Sequence, residues 1–218
     1  SFFAVLAVQP PHGPYVAPAD SAYRARPRGP AQVRFRPNVP DVPWIRDRAA
    51  MDLAGYYGMI ENLDDNLGRI RERLKQLGID RETYLVFFSD HGEYAGDYGL
   101  VDINQNTFED SLTNVPLIIK PPKGTAVKPG LRGQLVELLD IVATVEDFTG
   151  LRVSQDHFSR SLAPLLADED AAGRDAVFCE GGRRHTEFQA MELDVGSALN
   201  PTGIYYPRLQ LQRSNGPE

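Results

Sequence analysis

The stretch that decides the reading is Tyr84-Leu85-Val86-Phe87-Phe88-Ser89-Asp90-His91-Gly92-Glu93. Its first five residues are an uninterrupted apolar run between polar neighbours, the pattern of a strand covered on both faces of a sheet. A carboxylate and an imidazole follow at once. In open α/β sheets ligands bind where the chain leaves the carboxyl ends of strands. Asp90 offers a hard oxygen donor and His91 a nitrogen donor, a mixed pair suited to divalent cations. Gly92 permits a sharp turn there, and Gly96 and Gly99 keep the following loop compact. The competing reading is a polar turn in which Asp90 caps a helix. Ser89, at the strand end, serves the backbone rather than a substrate.

Upstream, Leu53, Tyr56, Tyr57, Ile60, Leu63, Leu67, Ile70, Leu74 and Leu77 recur at spacings of three and four. This periodicity predicts one long helix from about Asp47 to Leu77 with those residues on one face. Arg69, Arg71, Arg73 and Lys75 suit the negative end of its dipole, and Gly78 is a natural stop. Asp64 and Asp65 are neighbours on it but point about 100° apart, so they read as solvated residues and not as a chelating pair. Before the helix, nine of the 17 prolines fall between Gln9 and Trp44. Proline fixes φ and removes a donor, so this segment reads as an ordered excursion without regular helix or central strand. It leaves from Phe2-Phe3-Ala4-Val5-Leu6-Ala7-Val8, which reads as a second fully buried strand. His12, in Pro11-His12-Gly13-Pro14-Tyr15, would project from the same sheet edge as Asp90 if the two strands are parallel neighbours. An imidazole there can serve as a general acid or as a donor to an anionic substrate.

Downstream, Pro116-Leu117-Ile118-Ile119 is a further candidate strand. Leu135, Leu138, Leu139, Val142, Val145 and Phe148 trace a second amphipathic helix closed by Thr149-Gly150. Ala176-Val177-Phe178-Cys179 reads as a late strand, with Cys179 a small buried hydrophobe. The order of elements suggests an α/β sheet with parallel connections. Residues 1–150 form its core and 151–218 the start of a smaller, irregular region. Ser1 opening inside a core strand, and Asn215-Gly216-Pro217-Glu218 ending in a turn-like stretch, read as an internal piece of a longer protein.

The 218 residues carry a formal net charge of -7 and are 42% hydrophobic, a composition of globular proteins that argues against a broad nucleic-acid face. No apolar run approaches the roughly 20 residues that a membrane-spanning helix needs. One cysteine forms neither an internal disulfide nor a cysteine zinc cluster.

Taken in order, Pro11-His12-Gly13-Pro14-Tyr15, then Leu67-Gly68-Arg69-Ile70, then Leu85 to Glu93, then Val115-Pro116-Leu117-Ile118-Ile119-Lys120 and Leu135-Val136-Glu137-Leu138-Leu139-Asp140-Ile141, resemble the sulfatase family of the alkaline-phosphatase-like superfamily. The resemblance spans roughly Phe2 to Gly150. It implies an α/β three-layer sandwich with a mostly parallel central sheet. It also implies a metal-dependent hydrolase of sulfate esters, or of phosphate or phosphonate esters in neighbouring branches. Calcium is the usual metal, with manganese or magnesium as alternatives. Asp90 and His91 match the family's late metal-ligand pair, and His12 matches the histidine that contacts the ester group of an anionic small-molecule substrate.

The departures matter as much. The family's Cys/Ser-x-Pro-x-Arg nucleophile motif and its early paired aspartates do not occur in these residues, so they would come from an N-terminal part of the same polypeptide. No Lys or Arg stands between Asp90 and Lys120, although a lysine commonly follows the Gly-Leu of this loop, here Gly99-Leu100. The expectation is a segment holding half of a metal site and inactive by itself. The alternatives are a phosphonate or phosphodiester hydrolase and a non-catalytic module that keeps the fold.

Overall fold

The computed structural model describes residues 2–17, 32–101 and 108–179. These divide into two units: one comprises the described residues up to Gly78 and those of His91–Asn114, the other Ile79–Asp90 and the residues from Val115 onward.

The first unit is organised by helix α1, Pro43–Gln76. It starts four residues before the expected Asp47 because proline at a first helical position lacks only an N–H that would have no partner anyway. Arg73 and Lys75 lie in its last turn, Leu77 donates its N–H back to the Arg73 carbonyl (3.0 Å), and Gly78 leaves at φ +74°, a left-handed conformation. The buried positions are Ile45, Ala49, Ala50, Gly58 and Met59, concentrated in the N-terminal half. Ile60, Ile70 and Leu77, on the face expected to be buried, are exposed. The reason is what lies opposite. The N-terminal half meets the compact loop after His91, where Tyr94 and Leu100 form a buried cluster with Leu112 of the short helix α2, Asp110–Thr113. A Cβ on Gly96, which sits at φ +105°, would press on the Ala49 methyl. Along the C-terminal half, Leu63, Arg69, Ile70 and Arg73 border an open groove with Leu6, Val8 and Pro10.

That groove corrects the reading of Phe2–Val8. The segment is not a strand, and Phe3 and Val5 are 72% and 77% exposed. An apolar run becomes a buried strand only when backbone partners flank it. Among the described residues no strand pairs with it.

The second unit holds that pair: β1, Leu85–Phe88, and β2, Leu117–Lys120. They are antiparallel, Leu85 opposite Lys120 and Phe88 opposite Leu117. The expected three-layer arrangement with a parallel sheet is therefore not built among the described residues, and Phe88 and Ile118, on opposite faces of the pair, are both exposed. The direction follows from the ends. Ser89 N–H donates to the Pro116 carbonyl (3.3 Å), so the exit of β1 lies beside the entrance of β2, as parallel pairing would forbid.

Helix α3, Asp140–Thr149, starts later than the apolar pattern from Leu135 predicts and ends as expected at Gly150, φ +70°. Leu135 instead makes a lone bridge with Arg174. At the start the Asp140 carboxylate takes the N–H of Glu137 (2.9 Å), and the turn over Glu137–Leu139 closes by tighter bonds, Asp140 N–H to Glu137 O (2.9 Å) and Ile141 N–H to Leu138 O (3.1 Å). Phe148 of α3 stacks on Tyr84, ring centres 3.9 Å apart. A short helix α4, Ala163–Ala167, follows. Ala176–Cys179 is not a strand, and Cys179 is exposed, not buried: Phe178 N–H donates to Glu137 Oε1 (2.8 Å), a side-chain partner that builds no ladder. Of the smaller, irregular region expected over residues 151–218, residues 180–218 lie outside the described residues.

Candidate active site

His12 and His91 are set by the same local device. In each, ring Nδ1 approaches the carbonyl oxygen of the next residue, Gly13 for His12 (2.8 Å) and Gly92 for His91 (2.9 Å). A carbonyl only accepts, so Nδ1 carries the proton and the neutral ring has its lone pair on Nε2. Both rings are exposed. Nε2 is thus the ring atom with the basic lone pair in each.

Both histidines belong to the first unit, and one hydrogen bond ties the segments that carry them. Tyr15, three residues after His12, donates its hydroxyl to Glu93 Oε2 (2.6 Å), two residues after His91. The other carboxylate oxygen of Glu93 accepts the Tyr94 N–H (2.8 Å). Tyr15 also meets the ring of Tyr56 on α1 edge to face at 5.8 Å. Burial first, and the Glu93 charge second, push the Tyr56 phenol above its ordinary value, so it stays neutral.

Glycines let the backbones come this close. A Cβ on Gly55 of α1 would fall inside the radius of the Tyr15 carbonyl oxygen, and one on Gly92 inside that of Ser111. Gly92 therefore serves close approach more than a turn; its N–H donates to the Leu112 carbonyl (2.9 Å). The loop beyond is firmly tied. Tyr94 donates its hydroxyl to Glu109 Oε2 (2.7 Å), and Ala95 and Tyr98 take positive φ. Buried Asp97 meets the exposed guanidinium of Arg36 at 2.6 Å. Burial nevertheless holds the Asp97 carboxyl above its usual range, because the solvated guanidinium offsets only part of that effect.

A matched pair of substitutions tests this backbone packing. Gly92→Ala is expected to destabilise the chain by about 1–3 kcal/mol, since backbone on both sides must shift. Gly68→Ala, on an open stretch of α1, is expected to stabilise by about 0.5–1 kcal/mol through helix propensity. Urea titration of the two variants would contradict the packing account if both moved the midpoint in the same direction.

Asp90 belongs to the second unit, directly after Ser89, and is exposed. Its carboxylate and His91 Nε2 are donors of the right chemistry for two positions of a divalent-metal shell. Among the described residues no three His, Cys, Asp or Glu side chains gather closely enough to hold a metal ion. Asp64 and Asp65 are exposed on α1. Tyr15, Glu93 and Tyr56 were not assigned by sequence, although Glu93 ends the Asp90-His91 motif and Tyr15 ends the His12 motif.

Residues 1–151 match the family model Sulfatase. Over 178 residues the chain is 30% identical to the Endo-4-O-sulfatase of Bacteroides thetaiotaomicron, an alignment covering 78% of this chain and 33% of that one. A solved structure from a glycosaminoglycan-metabolism locus of Bacteroides thetaiotaomicron superposes with TM-score 0.59 at 30% identity, over 74% of this chain and 33% of that one. The phosphonate monoester hydrolase of Silicibacter pomeroyi does so with TM-score 0.52 at 30% identity, over 67% and 27%. The chain thus spans about a third of the length of these relatives and shares their alkaline-phosphatase-like fold. With the family model covering more than half of its residues, the chain belongs to the sulfatase family.

Proposed function

We propose that this chain carries part of the catalytic centre of a hydrolase acting on sulfate esters. The observation that carries the reading is the pair of exposed imidazoles in one unit, each held by Nδ1 on the next carbonyl, on segments joined by the Tyr15–Glu93 hydrogen bond. In this reading His12 Nε2, once protonated, donates to the oxygen that departs from the ester. Asp90 and His91 are two ligands of a divalent cation, calcium first and manganese or magnesium as alternatives. Such a cation would neutralise the charge of the anionic ester. Calcium wants six to eight oxygens, so further ligands, and the nucleophile, come in this reading from polypeptide outside these 218 residues. The 218 residues by themselves are then inactive.

A phosphonate or phosphate ester is the second reading, supported by the Asp90-His91 pair and by the likeness to a phosphonate monoester hydrolase. The test is hydrolysis of 4-nitrophenyl sulfate and of a 4-nitrophenyl phosphonate by the full-length protein, with calcium or manganese and after chelation, beside the 218-residue segment. Faster sulfate turnover by the full-length protein, lost on chelation, is the expected outcome. Turnover by the segment at the full-length rate would show that the whole centre lies within it, and preference for phosphonate would favour the second reading. Absence of both activities would leave a non-catalytic module.

A further inference from the structure

We infer that Glu93 and Tyr15 are positioning residues, whose hydrogen bond holds the segment bearing His12 against the segment bearing His91 and so fixes the two imidazoles relative to each other. The inference rests on the proposed roles of the two histidines. Neither Glu93 nor Tyr15 is assigned a chemical task in that proposal.

The geometry argues for a clamp with one rigid end and one movable end. On the Glu93 side the carboxylate is oriented by the Tyr94 N–H at 2.8 Å, and Tyr94 is among the most buried side chains of its unit, 1% exposed. The loop that carries Glu93 and His91 is therefore anchored in the core. The His12 segment is different. Gln9, Pro10, His12 and Pro14 are exposed, and the local backbone ties are short turns, His12 N–H to Gln9 O (3.0 Å) and Val16 N–H to Pro14 O (2.8 Å). Turns of that kind shape a loop but do not attach it. Attachment comes from Tyr15: its ring against Tyr56, its carbonyl against Gly55, and its hydroxyl on Glu93. The ring and carbonyl contacts fix the segment to α1, whereas the hydroxyl addresses the loop of His91. A phenol donating to a carboxylate in a partly buried place is a strong, directional bond, and misplacement of a reacting group by about 1 Å can cost on the order of a hundredfold in rate.

The chemistry of glutamine separates the clamp from its charge. In Glu93→Gln the amide oxygen can accept the Tyr94 N–H while the amide nitrogen donates to the Tyr15 oxygen, so both contacts survive with one bond reversed. In Glu93→Ala and Tyr15→Phe the bond is lost.

The experiment uses the full chain with histidine rings isotopically labelled, compared by NMR as wild type, Tyr15→Phe, Glu93→Ala and Glu93→Gln. Clamping predicts crosstalk: Tyr15→Phe shifts the ring signals of His91 and Glu93→Ala those of His12. Glu93→Gln stays near wild type, and His157 of the other unit is unmoved in all three. If each substitution shifts only the histidine of its own segment, the inference is overturned. Should Glu93→Ala also move His157, as general loss of structure would, the Tyr15→Phe spectrum decides alone. In the full-length enzyme the same loss of the bond is expected to lower kcat on the order of a hundredfold with KM little changed, and Glu93→Gln to restore most of it. A wild type without esterase activity would speak against the proposed function, while the crosstalk result would still decide the clamp.

Discussion

Asp140→Ala is expected to cost the second unit about 3–5 kcal/mol, enough to unfold much of it. Asp140 is 1% exposed and is the meeting point of three chain segments. Its carboxylate accepts from the N–H of Glu137 (2.9 Å) before α3, from the N–H of Arg160 (2.7 Å) and from the Arg174 guanidinium, Nε at 3.1 Å and Nη2 closer. The Arg174 side chain is itself 10% exposed, with Glu137 as its other carboxylate (3.3 Å). Alanine would strand two backbone donors and leave a buried guanidinium with half of its charge compensation. Arg174→Ala should cost nearly as much, because a buried carboxylate then loses its cation. The double variant should cost less than the two singles combined, since neither charge is left unpaired. Additive losses in urea titrations would contradict this. The pH dependence has a definite sign. Burial alone would raise the Asp140 carboxyl, but the Arg174 hydrogen bond and the two backbone N–H groups outweigh it and hold it below 3.8. A depressed carboxyl adds stability that is present above its unfolded value and lost as pH falls through the folded one. Wild type should therefore lose this increment below about pH 4, and Asp140→Asn should show no such loss there.

What could be read ahead of the structure follows from range. Periodicity of three and four reports a helix wherever it docks, so α1 was legible, as were its stop at Gly78 and that of α3 at Gly150. The Leu85–Phe88 and Leu117–Lys120 strands were legible as short apolar runs. Their mutual direction was not, because it depends on Ser89 meeting Pro116 across the long stretch between them. The Phe2–Val8 run failed for a related reason: apolarity states that a segment wants cover, and only pairing partners make it a strand. The site divides in the same way. His12, Asp90 and His91 stood out because each follows an apolar run at a chemically suggestive spot. Tyr15 and Glu93, 78 positions apart, are joined by a bond that no spacing rule encodes. Asp140 and Arg174, 34 apart, are another such pair.

His12→Ala in the full-length protein is expected to lower kcat for sulfate esters by roughly 10²–10⁴-fold, the range for loss of a positioned general acid. The ring is exposed and its Nδ1 bonds the adjacent Gly13 carbonyl, so its removal should change stability by no more than about 0.5 kcal/mol. His157→Ala is the control. His157 lies beside Glu146 (3.4 Å) in the second unit, and its loss should cost about 0–1 kcal/mol with activity unchanged. The magnitude for His12 should depend on the leaving group. A 4-nitrophenolate departs readily without a proton, whereas the alkoxide of a sugar or alkyl ester does not, so an acid contributes most to the second. The loss on His12→Ala should accordingly be larger for a sugar sulfate than for 4-nitrophenyl sulfate, with KM moving little in either case. A group that merely binds the anion would behave differently, because the sulfate moiety is the same in both substrates. Equal losses across the two leaving groups, expressed mainly in KM, would place His12 in ground-state binding and remove it from the proton-transfer step.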